Sequence, residues 1–205
     1  MEELDVEKYL RTIKSSVDGF EAIMVDRQNF LRAEHPDYYA SAHEQFYKSV
    51  MDYTMSHMRG FITLCEAGNW LSAHHYIRLM SDMIVRMYPI KLFKGEGRND
   101  YIDKLLRGKS EDKSYKGKKL TSKYILELIE NDEEYKGIRD FQKEGNRTTH
   151  FSESYSYDLF PVDEIDWGKV QIVFEDSSKI IMMGSVFTLF SFIHTHARDY
   201  LFGVK

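Results

Sequence analysis

Apolar residues recur along this chain at spacings of three to five, the period of helices that bury one face. Leu4, Tyr9, Ile13, Val17, Phe20 and Met24 form the first such stripe and predict a helix over residues 4–30. After the His35-Pro36-Asp37 turn, Phe46, Val50, Tyr53, His57, Phe61 and Leu64 predict a second over residues 40–67. Gly68-Asn69 should stop it, because both residues tolerate the left-handed conformation of a helix C-terminus. A third helix is expected over residues 70–88, with Trp70, Ala73, Ile77, Met80, Ile84 and Met87 as its seam and Pro89 beyond its end. Leu71, Leu79, Met83 and Val85 add apolar residues off that seam, so this helix should lie at the centre of a bundle.

Residues 95–119 break the pattern with a polar, Lys/Gly-rich excursion holding at most a short helix over residues 101–106. Its eight Lys/Arg against five Asp/Glu suit a solvated surface, or a contact with phosphate. Thr121 or Ser122 then caps a fourth helical segment carrying Tyr124, Ile125, Leu128 and Ile129. Its second part, over residues 133–143, supplies Tyr135, Ile138 and Phe141 and is interrupted by Gly145-Asn146. Residues 151–167, rich in Ser, Tyr and Asp and containing Pro161, read as a long loop. The run Lys169-Val-Gln-Ile-Val-Phe174 suits a short strand and the approach to a helix equally. A final helix over residues 177–201 directs Ile180, Ile181, Met183, Val186, Phe187, Phe190, Ile193, Ala197 and Leu201 into the core. The expectation is an all-α antiparallel bundle of about five helices, with a polar excursion and a long loop before the last helix, in one domain over residues 1–205.

Composition sharpens this picture in three ways. The 42% hydrophobic and 14% aromatic content is that of a chain that folds unaided. Cys65 is the only cysteine, which excludes an internal disulfide framework and a multi-thiolate metal site within one chain, and makes the cytoplasm the expected compartment. The first residues are charged where an export signal would be apolar, so none is expected. The most apolar run, residues 180–193, is shorter than the roughly 18–20 residues that span a bilayer. It reads as a buried helix, with no membrane as partner. A net charge of −5 excludes a uniformly basic nucleic-acid binder and leaves room for a local basic patch.

Three clusters could carry chemistry. His74, Arg78 and Asp82 stand at i, i+4 and i+8 along one edge of the third helix. A guanidinium inside that apolar arc has to be paired, and an Arg78–Asp82 ion pair is the simplest account of it. Residues 146–152, Asn146-Arg147-Thr148-Thr149-His150-Phe151-Ser152, are polar where an amphipathic helix should be ending. A His four residues after an Asn shares its helical face, and a neutral imidazole near an Arg can act as acid or base beside a phosphate. The structural alternative is a capping and turn network. Asn146-Arg147-Thr148 also forms a glycosylation sequon, irrelevant for an intracellular chain. His194 and His196 stand about 200° apart on a helix, so one metal cannot take both, and the adjacent His74 and His75 fail in the same way. None of the eight histidines has a Glu three residues before it, which argues against a carboxylate-bridged metal bundle. No metal and no cofactor are expected.

Two stretches together resemble a known group. AGNWLSAHHYIRLMSD and YKGIRDFQKEGNRTTHFS, within residues 67–152, are similar to two helices of the HEPN-like superfamily of bacterial helical proteins. The resemblance implies a small α-helical bundle, often dimeric, from defence or toxin–antitoxin systems, and in many members a metal-independent ribonuclease. Its signature is an Arg, commonly a polar residue next, and a His a few residues on. Asn146 and His150 match the polar and His positions, while Gly145 stands where the Arg belongs. Arg147, two residues later, or Arg78, across the bundle, would have to supply the guanidinium. The resemblance thus implies RNA as ligand or substrate, a homodimer, and a site of Asn146, Arg147, His150 and Arg78. A non-catalytic module whose exposed aromatics meet a protein partner is the reading from a different class.

Overall fold

The computed structural model describes residues 5–34, 42–109, 113–149 and 174–202, and within them the chain is an all-α bundle carrying one two-stranded hairpin. Its helices are α1 (Val6–Glu34), α2 (Ala42–Glu66), α3 (Trp70–Met87), α4 (Pro89–Leu92), α5 (Glu96–Leu106), α6 (Ser122–Glu130), α7 (Ile138–Thr149) and α8 (Asp176–Phe202). Strands β1 (Ser114–Tyr115) and β2 (Lys118–Lys119) pair antiparallel between α5 and α6.

The helix ends follow local chemistry. Asp5 Oδ1 accepts the Lys8 amide at the start of α1, Asn69 Oδ1 the Ser72 amide at the start of α3, and Thr121 Oγ1 the Tyr124 amide at the start of α6. Each satisfies one of the four amide donors a helix N-terminus leaves open. Gly68 closes α2 with φ +71°, the left-handed conformation expected of it.

The third helix is central, packing on α2, α6, α7 and α8, as its apolar breadth predicts. The core gathers Ile13 and Val17 of α1, Phe46, Val50, Met58 and Phe61 of α2, Ile77, Met80 and Ile84 of α3, and Met183, Val186, Phe190 and Ile193 of α8. Each such side chain contributes roughly 1.5–3 kcal/mol by leaving water. Met51, Met55, Met87 and Met182 fill the remaining space, their unbranched thioethers adapting to gaps between crossing helices.

Several expectations are corrected. The third helix ends at Met87, before Pro89 as expected, but Pro89 does not open a loop: Tyr88 keeps α-helical dihedrals, and the short helix α4 follows with Pro89 at its first position, where its missing N–H costs nothing. Tyr53 is 44% exposed and His57 stacks edge-on to it, because Met51, Thr54, Met55 and Met58 form the inward face of α2 instead. Ile181 is 70% exposed, since Met182 and Met183 face the core at that level of α8. Helix α5 starts at Glu96 and buries Tyr101 and Ile102, so part of the polar excursion is docked on the bundle. Gly137, at φ +92°, separates the one-turn helix Glu133–Tyr135 from α7, and α7 then runs unbroken through Gly145 and Asn146. The expected loop over residues 151–167 and the 169–174 run lie outside the described residues, apart from Phe174.

The segment Asp176–Asp199 of α8 is long and apolar enough to cross a membrane by length and composition alone, longer than the run read from sequence. Half of it is buried against the rest of the chain.

Candidate functional site

Helices α3 and α7 run antiparallel and bring two of the sequence-derived clusters face to face. The α3 edge presents His74, Arg78 and Asp82, one turn apart, and α7 presents Gln142 and Asn146, also one turn apart. Arg78 Nη1 donates to Asn146 Oδ1 at 2.7 Å, and Arg78 Nε donates to Asp82 Oδ2 at 2.8 Å. Gln142 Nε2 donates to the other Asp82 oxygen at 2.7 Å. His74 Nε2 lies 3.2 Å from Glu144 Oε1. The ion pair expected on α3 is therefore present, and the same guanidinium also crosses to the Asn of the other cluster.

What allows this crossing is Gly145. It is buried against α3, and a Cβ there would lie 2.7 Å from both the Arg78 nitrogen and the Arg78 Cβ, closer than real side chains approach. No arginine fits at this position, because the α3 backbone already occupies the space. A guanidinium reaches Asn146 from the facing helix instead. Sequence reasoning saw Gly145 as an interruption of the helix; α7 runs through it, and Gly145 is a point of helix contact.

The Arg78 side chain is 30% exposed, and its Nη2 has no hydrogen-bond partner among the described residues. The α7 backbone remains helical through Thr149, placing Arg147 about 200° from Gly145 around the axis. The geometry thus brings Arg78 and Asn146 together and takes Arg147 to another direction of the helix. His150 lies outside the described residues. Gln142 and Glu144 were missed from sequence; the Gln142–Asn146 spacing of four was the available signal, hidden by reading Gly145-Asn146 as a break.

If the Arg78–Asn146 bond couples the two helices, the substitutions Arg78→Ala and Asn146→Ala will not act independently. A double-mutant cycle by urea unfolding is expected to give a coupling of about 1 kcal/mol, typical for residues in one network. Additivity to within a few tenths would show the bond to be idle.

The other candidates diverge. His194 Nε2 sits 3.0 Å from Thr54 Oγ1 on α2, whereas His196 Nδ1 sits 3.4 Å from the Tyr135 hydroxyl, so the two rings face different neighbours as their spacing requires. Burial holds His194 well below the usual imidazole range, at about 4. Cys65 is buried, and that burial, with the nearby Glu66 charge, pushes its thiol up to about 12, too high for a nucleophile. Among the described residues, no three His, Cys, Asp or Glu side chains converge as metal ligands would. No family model, no curated protein and no solved structure matches the chain.

Proposed function

We propose that this is a HEPN-like cytoplasmic protein that binds RNA and cleaves it without a metal, in a defence or toxin–antitoxin setting. The observation that carries the reading is the Arg78–Asn146 contact across α3 and α7, which sets a guanidinium against the helix that precedes His150 in the chain. A planar guanidinium is the best side-chain match to a phosphate. In the reaction, His150 takes the proton of a ribose 2′-hydroxyl as its oxygen bonds to phosphorus. The bond from phosphorus to the 5′-oxygen breaks, and that oxygen leaves with a proton from the second His150 of a dimer. Arg78 stabilises the charge on the phosphorane, and Asn146 holds Arg78 in place.

A second reading has its own support. Asp82 and Asn146 already engage two of the Arg78 nitrogens, which suits a structural network in a non-catalytic module that contacts a protein partner. Cleavage of a labelled mixed-sequence RNA in EDTA separates the two. The parent is expected to cut, while His150→Ala and Arg78→Ala, purified identically, lose at least 100-fold in rate, the usual contribution of a positioned acid or base. Equal inactivity, or equal contaminating activity, in all three proteins removes the ribonuclease and leaves the interaction module.

A further inference from the structure

The charge of this chain is segregated. Residues 94–123 hold ten Lys/Arg and five Asp/Glu, while the remainder hold eighteen and twenty-eight. Within residues 113–124 there are five lysines and no acid at all. This stretch is the β1–β2 hairpin with its flanks, standing between α5 and α6. Lys113 is engaged by Asp100, but Lys116, Lys118, Lys119 and Lys123 are exposed and form no ion pair among the described residues.

The turn points the same way. Tyr115 pairs with Lys118, and the two residues between them, Lys116 and Gly117, have φ of +49° and +77°. Positive φ at both central positions is what a type I′ turn requires, and Asn-Gly is the sequence that adopts it most readily. Lysine at the first position accepts a left-handed backbone that a side chain resists. An outlier retained against local preference is grounds for a functional reading.

Aromatic rings lie among the lysines. Lys116 Nζ is 5.4 Å from the centre of the half-buried Tyr115 ring, and Lys118 Nζ is 5.2 Å from that of Tyr124. Cations interleaved with ring faces are the surface that single strands of nucleic acid use: lysines neutralise phosphates while unpaired bases stack on the rings. We infer that the hairpin and the start of α6 form a docking surface for single-stranded RNA, with Lys116, Lys118, Lys119 and Lys123 on the phosphates and Tyr124 beneath a base. The choice of RNA over another polyanion rests on the function proposed above; the surface itself is separate from the Arg78–Asn146 seam.

Fluorescence anisotropy with a labelled 20-nucleotide mixed-sequence RNA, across a salt series, tests this on the full chain. In the variant Lys116→Asn/Lys118→Gln/Lys119→Gln/Lys123→Gln, affinity should fall at least tenfold. Its salt dependence should be shallower by about 3 in log–log slope, since each phosphate contact on a single strand contributes roughly 0.7. Asn-Gly suits the turn, so this variant should melt no lower than the parent by circular dichroism, and Tyr124→Leu should weaken binding about fivefold or more. A parent that binds no RNA overturns the inference, as does a quadruple variant that binds unchanged. So does polyglutamate competing as well as RNA at equal charge, or a duplex of the same sequence binding as tightly as the single strand. A parent that binds through these lysines but does not cut refutes the ribonuclease and keeps the surface; one that cuts and ignores the lysines does the reverse.

Discussion

Replacing Gly145 by Ala should cost about 3 kcal/mol of stability, the upper end of what overpacking a close contact costs. For a chain of this size that corresponds to a melting temperature lower by roughly 6–12 °C. The added methyl would sit 2.7 Å from the Arg78 nitrogen and 2.8 Å from its Cα, and backbone cannot swing aside as a side-chain tip can. Relief requires α7 to move off α3, which stretches the 2.7 Å Arg78–Asn146 bond and the 2.7 Å Gln142–Asp82 bond together. Gly60 provides the comparison. A Cβ there also meets a neighbour, but the atom is the hydroxyl at the far end of the Tyr76 side chain, which can swing aside, so Gly60→Ala should cost far less. Thermal unfolding of both variants checks the contrast. A Gly145→Ala protein as stable as Gly60→Ala would show that the two helices do not approach this closely. Gly145→Arg, which places an arginine where the α3 backbone stands, should be less stable than Gly145→Ala.

Acid should weaken the fold through His194. Thr54 Oγ1 lies 2.8 Å from the Val50 carbonyl and donates to it, so it accepts from His194 Nε2–H at 3.0 Å, which leaves Nδ1 as the bare nitrogen. That Nδ1 is buried without a partner among the described residues, and the imidazole lies between the Phe20 ring, with centroids 5.2 Å apart, and the Phe190 ring at 4.0 Å. A bare lone pair there is tolerable. A proton on it would carry charge into an apolar pocket, which is why burial lowers this imidazole to about 4. Above the unfolded value of about 6.5 both states are neutral and nothing is lost. As pH falls from there the unfolded chain takes the proton first, so stability declines until about pH 4, where the folded imidazole also charges. The full loss is about 3 kcal/mol. Urea midpoints from pH 7 to pH 4 should show the parent losing this much more than His194→Phe, which cannot titrate. Parallel curves for the two proteins would mean that the imidazole is charged in the folded state.

How much of this could be read from the chain depended on which force set each feature. Stripes such as Ile77, Met80 and Ile84 fixed the helices, and caps such as Asn69 and Thr121 fixed their starts, because both are local and carry a residue-type signature. Tyr53 and Ile181 were placed in the core because the apolar stripe of α2, and likewise that of α8, is wider than the face that fits a neighbour. Choosing among apolar residues on such a helix is a tertiary decision. The ion pair from Arg78 to Asp82 was legible from a spacing of four, but the bond to Asn146 links residues 68 apart in sequence. It depends on Gly145, and glycine in sequence means a turn as readily as a close helix crossing. The hairpin lysines were visible as composition; only the turn backbone and the two tyrosine contacts distinguish them from an ordinary solvated stretch.

Seven methionines, Met51, Met55, Met58, Met80, Met87, Met182 and Met183, are buried on α2, α3 and α8. Thioethers are readily oxidised, and here the packing of the helices keeps peroxide from them. Each time the helices part, a sulfur can gain an oxygen, and the polar sulfoxide that results no longer fits the apolar space it left. Under oxidative stress, opening of the bundle becomes a ratchet: excursions that are reversible in reducing conditions accumulate as chains unable to close. The lifetime of the folded protein in an oxidising cell is then set by how often its centre opens, and by whether methionine sulfoxide reductases reach it before proteases do.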